Sequence, residues 1–262
     1  MNHSQTSKTM LILLVIAVIA VIGFVVYSHR SIKNVPAPVS ENTPLPNPAE
    51  WPSAKVSDQT ISDNGGYYTI NATYPIVKDD VITGYFKTFV DDSVAQFKSD
   101  SAWAAGTGAK AAPAEAASLS LTIKYTEQKT TRADNFIFSS DVYTGGAHDL
   151  QATKTFSFSA TGQLITIATL FSNGDEGLKT IAPYVQQQLG KIQYADATMI
   201  QEGTAPTVDN YANFTVQDNG ITFIFDPYAV APYAAGMQTV TVPTSIFKDI
   251  ANPDLFSASN AR

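Results

Sequence analysis

Imidazole chemistry in this 262-residue chain would have to run through His148, because His3 and His29 flank an apolar segment near the N-terminus. A Ser-His-Asp hydrolase needs a nucleophile presented to that imidazole, and the sequence has no G-x-S-x-G elbow. Histidine-based metal sites need more than one imidazole, so a catalytic zinc is not expected. The chain has no cysteine, which excludes disulfides, thiolate metal ligation, iron–sulfur clusters and a Cys nucleophile. Asn173-Gly174-Asp175-Glu176 is an acidic turn without the spacing of an EF-hand loop. Gly106-Thr107-Gly108 begins a G-x-G-x-x-A match ending at Ala111, but in an Ala-rich stretch rather than between a strand and a helix. Two carboxylates facing each other about 5–10 Å apart would make a glycan hydrolase. No pair of acids is marked for that role by its sequence setting. The expectation is no catalytic residue, no metal, no cofactor and no enzymatic activity.

Two segments have the composition of binding loops instead. The first is Tyr143-Thr144-Gly145-Gly146-Ala147-His148. Paired glycines at the end of a strand allow backbone angles that other residues resist, and they leave a backbone face open to close approach. The alternative is a tight turn in which His148 bonds locally. The second is Phe225-Asp226-Pro227-Tyr228-Ala229-Val230-Ala231-Pro232-Tyr233-Ala234-Ala235-Gly236, with two Pro-Tyr pairs. Exposed tyrosine offers large contact area at low entropic cost. The alternative is that both rings pack beneath the loop. Thr144, Gly145, Gly146, His148, Tyr228, Pro232 and Tyr233 are the candidate ligand-binding residues.

These loops must be carried by strands. Leu119, Leu121, Ile123 and Tyr125 alternate, as do Phe136 and Phe138 before the first loop. Phe156 and Phe158 lead through Ala160-Thr161-Gly162-Gln163 into Leu164, Ile165 and Ile167, which reads as a hairpin. A second hairpin joins Tyr211–Gln217 to Ile221–Asp226 through Asp218-Asn219-Gly220 and feeds the Pro-Tyr loop. Gln238–Val242 is a last strand stopped by Pro243, and Tyr67–Tyr74 an early one ended by Pro75. Ile82, Phe86, Phe89, Val90, Val94 and Phe97 form one helical stripe opened by Asp79 and Asp80. Ala102–Ala117 reads as a loop or insertion. Leu178, Ile181, Val185 and Leu189 define a second helix, in which Pro183 is best placed if the helix starts near Ala182. The fold class is α+β: a largely antiparallel sheet with two amphipathic helices, in two packed subdomains, 53–117 and 118–262. Both loops leave strands rich in core aromatics, so they are expected to meet in one surface with Tyr233 partly accessible.

Met10–Tyr27 is an uncharged apolar run of 18 residues, enough for roughly 27 Å of helix. Ser28-His29-Arg30-Ser31 after it is a poor cleavage site, so an uncleaved signal-anchor is expected after a short cytoplasmic tail, 1–9. Lys8 on one side and Arg30 and Lys33 on the other nearly balance the positive-inside rule. The Pro-rich stalk, 28–52, favours a domain held off the outer surface of the cell membrane. The chain carries −7; residues 1–50 account for three bases and two acids of the 16 and 23 present, which leaves −8 beyond them. That surface repels nucleic acid and suits a cationic partner.

The TGGAH run, followed by a strand, a T-G-x-L turn and Leu170-Phe171, resembles the extracytoplasmic domain family of the lysozyme-sensing anti-sigma factor RsiV and the peptidoglycan deacetylase PdaC. FDPYAVAPYAAG followed by Val240-Thr241-Val242-Pro243 is similar to that family's closing motif, and the likeness covers roughly Asp63 to Ile250. It implies an α+β ectodomain that binds lysozyme or another cell-wall-related ligand, such as peptidoglycan, through Thr144, His148, Pro232 and Tyr233. Neither an anti-sigma domain nor the metal-binding His/Asp set of a deacetylase is recognisable, so the binding domain alone is expected. The rival classes are a carboxylate-dependent envelope glycan hydrolase and a structural envelope-assembly protein.

Overall fold

A computed structural model describes residues 47–106, 119–146 and 148–256, with backbone alone for 103–106. The expected tail, signal-anchor and most of the stalk lie outside the described residues. Among the described residues no helix is long and apolar enough to cross a membrane.

Six strands form one sheet in chain order: β1 (Lys55–Asn64), β2 (Tyr68–Val77), β3 (Leu119–Lys129), β4 (Asp134–Tyr143), β5 (Leu150–Phe158) and β6 (Leu164–Ile165). All neighbours are antiparallel except β2 and β3, which run parallel on either side of helix α1 (Asp80–Gly106). Asp79 opens that helix, its Oδ1 accepting from the amides of Val81 and Ile82. The predicted stripe is its buried face. Phe86 packs 4.7–5.8 Å, centroid to centroid, from the rings of Phe136, Phe138, Phe156 and Phe158. The alternation expected in the sequence therefore puts every second residue of β4 and β5 under α1.

Several expectations need correction. The helix runs on through Ala102 to Gly106 rather than breaking into a loop there. Pro75 lies inside β2, opposite Asp58; β2 pairs with β3 no further than Ala72, so the missing N–H leaves no ladder bond unmade on that side. β1 has no apolar alternation because it is an edge strand exposed over most of its length.

A second sheet has three antiparallel strands, β7 (Phe214–Gln217), β8 (Gly220–Phe225) and β9 (Gln238–Pro243). Its inner face, with Phe214, Val216, Ile221, Phe223, Val240 and Val242, shares a core with α2 (Ile167–Leu170), α3 (Gly177–Leu189), α5 (Thr244–Phe247) and α6 (Pro253–Phe256). α3 starts at Gly177, not near Ala182, so Pro183 sits within it. Pro183 and Lys179 both face solvent, so water can satisfy the carbonyl of Lys179 that the proline leaves unpaired. The short helix α4 (Ala197–Gly203), capped by Asp196, was not expected.

The two sheets meet through polar groups. The face of β4 and β5 opposite α1 presents Asn135, Thr155 and Ser157, all buried. β7 lays its free edge there. Asn135 accepts from the Val216 amide at 2.8 Å and donates to the Val216 carbonyl at 3.1 Å. Thr155 accepts from the Phe214 amide at 2.9 Å. Side chains thus satisfy an edge that would otherwise be a row of unpaired backbone groups. The dividing line expected at residue 117 falls between β2 and β3, which share one sheet and one core.

Candidate functional site

β4 and β8 are each the central member of a local three-strand arrangement, β3-β4-β5 and β7-β8-β9. The loop after β4 is 144–149; the loop after β8 is 226–237. The loop after β8 is pinned at both its ends to Thr153, just inside β5. The Thr153 amide donates to Asp226 Oδ2 at 3.1 Å, and its Oγ1 donates to Met237 Sδ at 3.5 Å. Asn213 bonds the carbonyl of Thr153 and the amide of Thr155, so Asn213 and Asp226 together cap the outward edge of β5. Asp226 Oδ1 is buried without a hydrogen-bond partner. Burial raises the Asp226 carboxyl above its ordinary range, against the pull of the Thr153 hydrogen bonds.

Above this base the two loops touch. The imidazole of His148 stacks on the ring of Tyr233, 3.8 Å between centroids and 17° from parallel. The Tyr233 hydroxyl donates to the Asp149 carbonyl at 3.4 Å. His148 Nδ1 lies 2.9 Å from the same carbonyl oxygen, to which it donates. The Tyr228 ring lies 5.5 Å from that of Tyr233. Tyr228 is 54% exposed and has φ of 72°, a left-handed conformation costly for a bulky residue. Beneath, Val230 and Ala231 are buried, and the end of α4 closes in so tightly that a Cβ on Gly203 would meet the Ala229 carbonyl oxygen at 1.9 Å. The aromatic side of the loop is thereby turned outward.

Of the expected residues, ring contacts join His148, Tyr233 and Tyr228 across the two loops. Thr144, Gly145, Gly146, His148, Tyr228 and Pro232 are exposed and Tyr233 is half-buried. Gly145 has φ of 91°, as its role in the turn requires; Gly146 has neither a positive φ nor a close neighbour. Leu150 and Met237 add exposed apolar surface at the loop bases. Sequence reasoning missed Asp226, Thr153 and Asn213, although the Asp-Pro step opening the loop was a signal for a side chain turned back onto backbone. Among the described residues no three His, Cys, Asp or Glu side chains could hold a metal ion. Glu127 and Asp134 come together elsewhere, bridged by Lys129.

Residues 168–245, which include the Pro-Tyr loop, match the family described as protein of unknown function (DUF3298). The chain is 27% identical over 199 residues to the peptidoglycan-N-acetylmuramic acid deacetylase PdaC of Bacillus subtilis, covering 73% of this chain and 40% of that protein. It is 34% identical over 102 residues to the immunogenic protein MPT64 of Mycobacterium tuberculosis, covering 38% and 44%. The chain therefore spans less than half the length of these relatives. A DUF3298 structure from Bacteroides fragilis shares the fold with a TM-score of 0.54 at 20% identity, over 81% of this chain and all of that one. These similarities are consistent with the resemblance read from the loop motifs: the chain is similar to PdaC, and residues 168–245, with the Pro-Tyr loop, match the DUF3298 model.

Proposed function

We propose that residues 51–262 form an extracytoplasmic binding module, tethered through 10–27, that engages a cationic protein such as lysozyme at the cell envelope. The contact surface is Thr144, Gly145, Gly146, His148, Tyr228, Pro232 and Tyr233. The observation that supports it is the His148–Tyr233 stack. Two loops distant in sequence are locked into one outward aromatic surface by a ring stack and a shared hydrogen-bond acceptor, so little ordering entropy remains to be lost on binding. The kinship with PdaC agrees with an envelope setting.

Calorimetric titration of the full chain with a cationic lysozyme tests this. Saturable binding is expected, and Tyr233→Ala should weaken it by about 1–3 kcal/mol while changing the unfolding midpoint little. No heat of binding at low ionic strength would overturn the lysozyme assignment. Full affinity in Tyr233→Ala would overturn the site.

A further inference from the structure

A groove of about 380 Å³ runs between the two sheets, on the side away from both apolar cores. One wall is the α1-distant face of the large sheet, the other the outer face of the small sheet. β7, clasped by Asn135 and Thr155, is the hinge of the V. Thr215, Thr222, Thr239 and Thr241 line the second wall. Gln128 of one sheet reaches Gln217 of the other at 3.3 Å, and Asn219 lies at the same end. Ile137 and Ile224 supply apolar surface, one from each wall. None of the residues of the aromatic loop surface lines this groove.

The lining selects a ligand chemistry. It contains no ionisable side chain, so a charged ligand would give up hydration without gaining a counter-charge. A purely apolar ligand would leave hydroxyls and amides unpaired. A ligand must therefore be uncharged and dense in hydrogen-bonding groups, with apolar faces for Ile137 and Ile224. Both walls are sheet faces, but β9 pairs with β8 alone and keeps a free outer edge, so an extended peptide is the rival occupant that the neutral-peptide comparator tests. Successive same-face residues recur about every 6.8 Å along a strand, with strands about 4.8 Å apart, which makes the threonines a grid of donors and acceptors. Thr222 and Thr241 sit 2.8 Å apart, Oγ1 to Oγ1, so their hydroxyls already orient each other across that grid. A pyranose chain meets every condition: hydroxyls around each ring's rim and C–H groups on its faces. We infer that this groove is a binding site for an uncharged glycan chain, independent of the aromatic loop surface.

The test titrates the full chain, by NMR or calorimetry, with chitotetraose and cellotetraose. The comparators are a glucosamine tetramer, an oligogalacturonate and a neutral Thr/Asn-rich peptide. Saturable binding of a neutral tetraose is expected, with weaker or no binding of the three comparators. Thr239 and Thr241 are exposed, so the double substitution Thr239→Arg/Thr241→Arg should fold. It should weaken the neutral sugar at least ~tenfold and improve oligogalacturonate binding, a gain that also reports an intact groove. Tyr233→Ala should leave sugar binding unchanged, which separates this site from the loop surface. Failure of both neutral tetraoses to bind, preference for the peptide, or unchanged sugar affinity in the double variant would overturn the inference.

Discussion

Asp134 shows what a single buried charge does to this protein. It is fully buried; Oδ2 accepts from Ser53 Oγ at 2.7 Å and lies 3.0 Å from Lys129 Nζ, while Oδ1 has no hydrogen-bond partner. Burial outweighs Ser53 and Lys129 and pushes the carboxyl up to about 6, from an ordinary 3.8. Between those values the folded protein holds more protons than the unfolded chain. Stability from this group is therefore full at acid pH and is lost as pH rises through about 6. Asp134→Asn should be the more stable protein at neutral pH, by ~1–2 kcal/mol, and lose that advantage towards pH 4. Urea denaturation in pH steps measures it. A variant less stable than wild type at neutral pH would show that the Lys129 pair outweighs burial. The same scale explains Tyr228: its left-handed backbone is a local cost that the anchored Val230 and Ala231 hold in place.

Between elements, the polar junction at β7 decides whether the second sheet stays docked. Asn135 makes four hydrogen bonds, donating to the carbonyls of Gln128 and Val216 and accepting from Ser157 Oγ and the Val216 amide. Asn135→Leu fits the space but leaves those groups without their partner; it should cost about 2–4 kcal/mol in chemical denaturation and speed hydrogen exchange at the Val216 amide. Exchange at Val216 no faster than in wild type would mean the edge is held by β8 pairing alone. Phe86→Ala removes one ring from among four others and should cost about 3–5 kcal/mol by the same measurement. The two cases also mark what the sequence made legible. Phe136, Phe138, Phe156 and Phe158 alternate, and Phe86 falls on a helical stripe, so that layer could be read directly. Asn135, Thr155 and Ser157 occupy the intervening positions, which look like a solvent face; nothing in their spacing says that another strand's edge will lie on them. β1 was invisible for a related reason, since an exposed edge strand needs no apolar period. The meeting of the two loops was legible because both leave central strands, whereas the Asp226 and Asn213 caps at their base depend on tertiary placement.

For the whole molecule, the proposed capture of a cationic partner would divide between net charge and the aromatic surface. The chain beyond residue 50 carries 21 acids against 13 bases. Such an excess raises the encounter rate of a cationic protein through long-range attraction, which salt screens over a Debye length of about 10 Å at 0.1 M. In the proposed complex the His148–Tyr233–Tyr228 surface would act at contact through stacked rings, so salt should touch it little. The two contributions therefore separate in kinetics. In stopped-flow or surface-based measurements with a cationic lysozyme, raising ionic strength from about 0.01 to 0.15 M should lower the association rate roughly tenfold or more and leave the dissociation rate nearly constant. Tyr233→Ala should do the reverse, raising the dissociation rate at every salt concentration with an unchanged salt slope. If salt instead acts on dissociation, charged pairs lie inside the contact and the aromatic surface is not its centre. If Tyr233→Ala slows association and leaves dissociation alone, the ring acts on encounter rather than as an anchor, and the division of labour drawn from this fold is reversed.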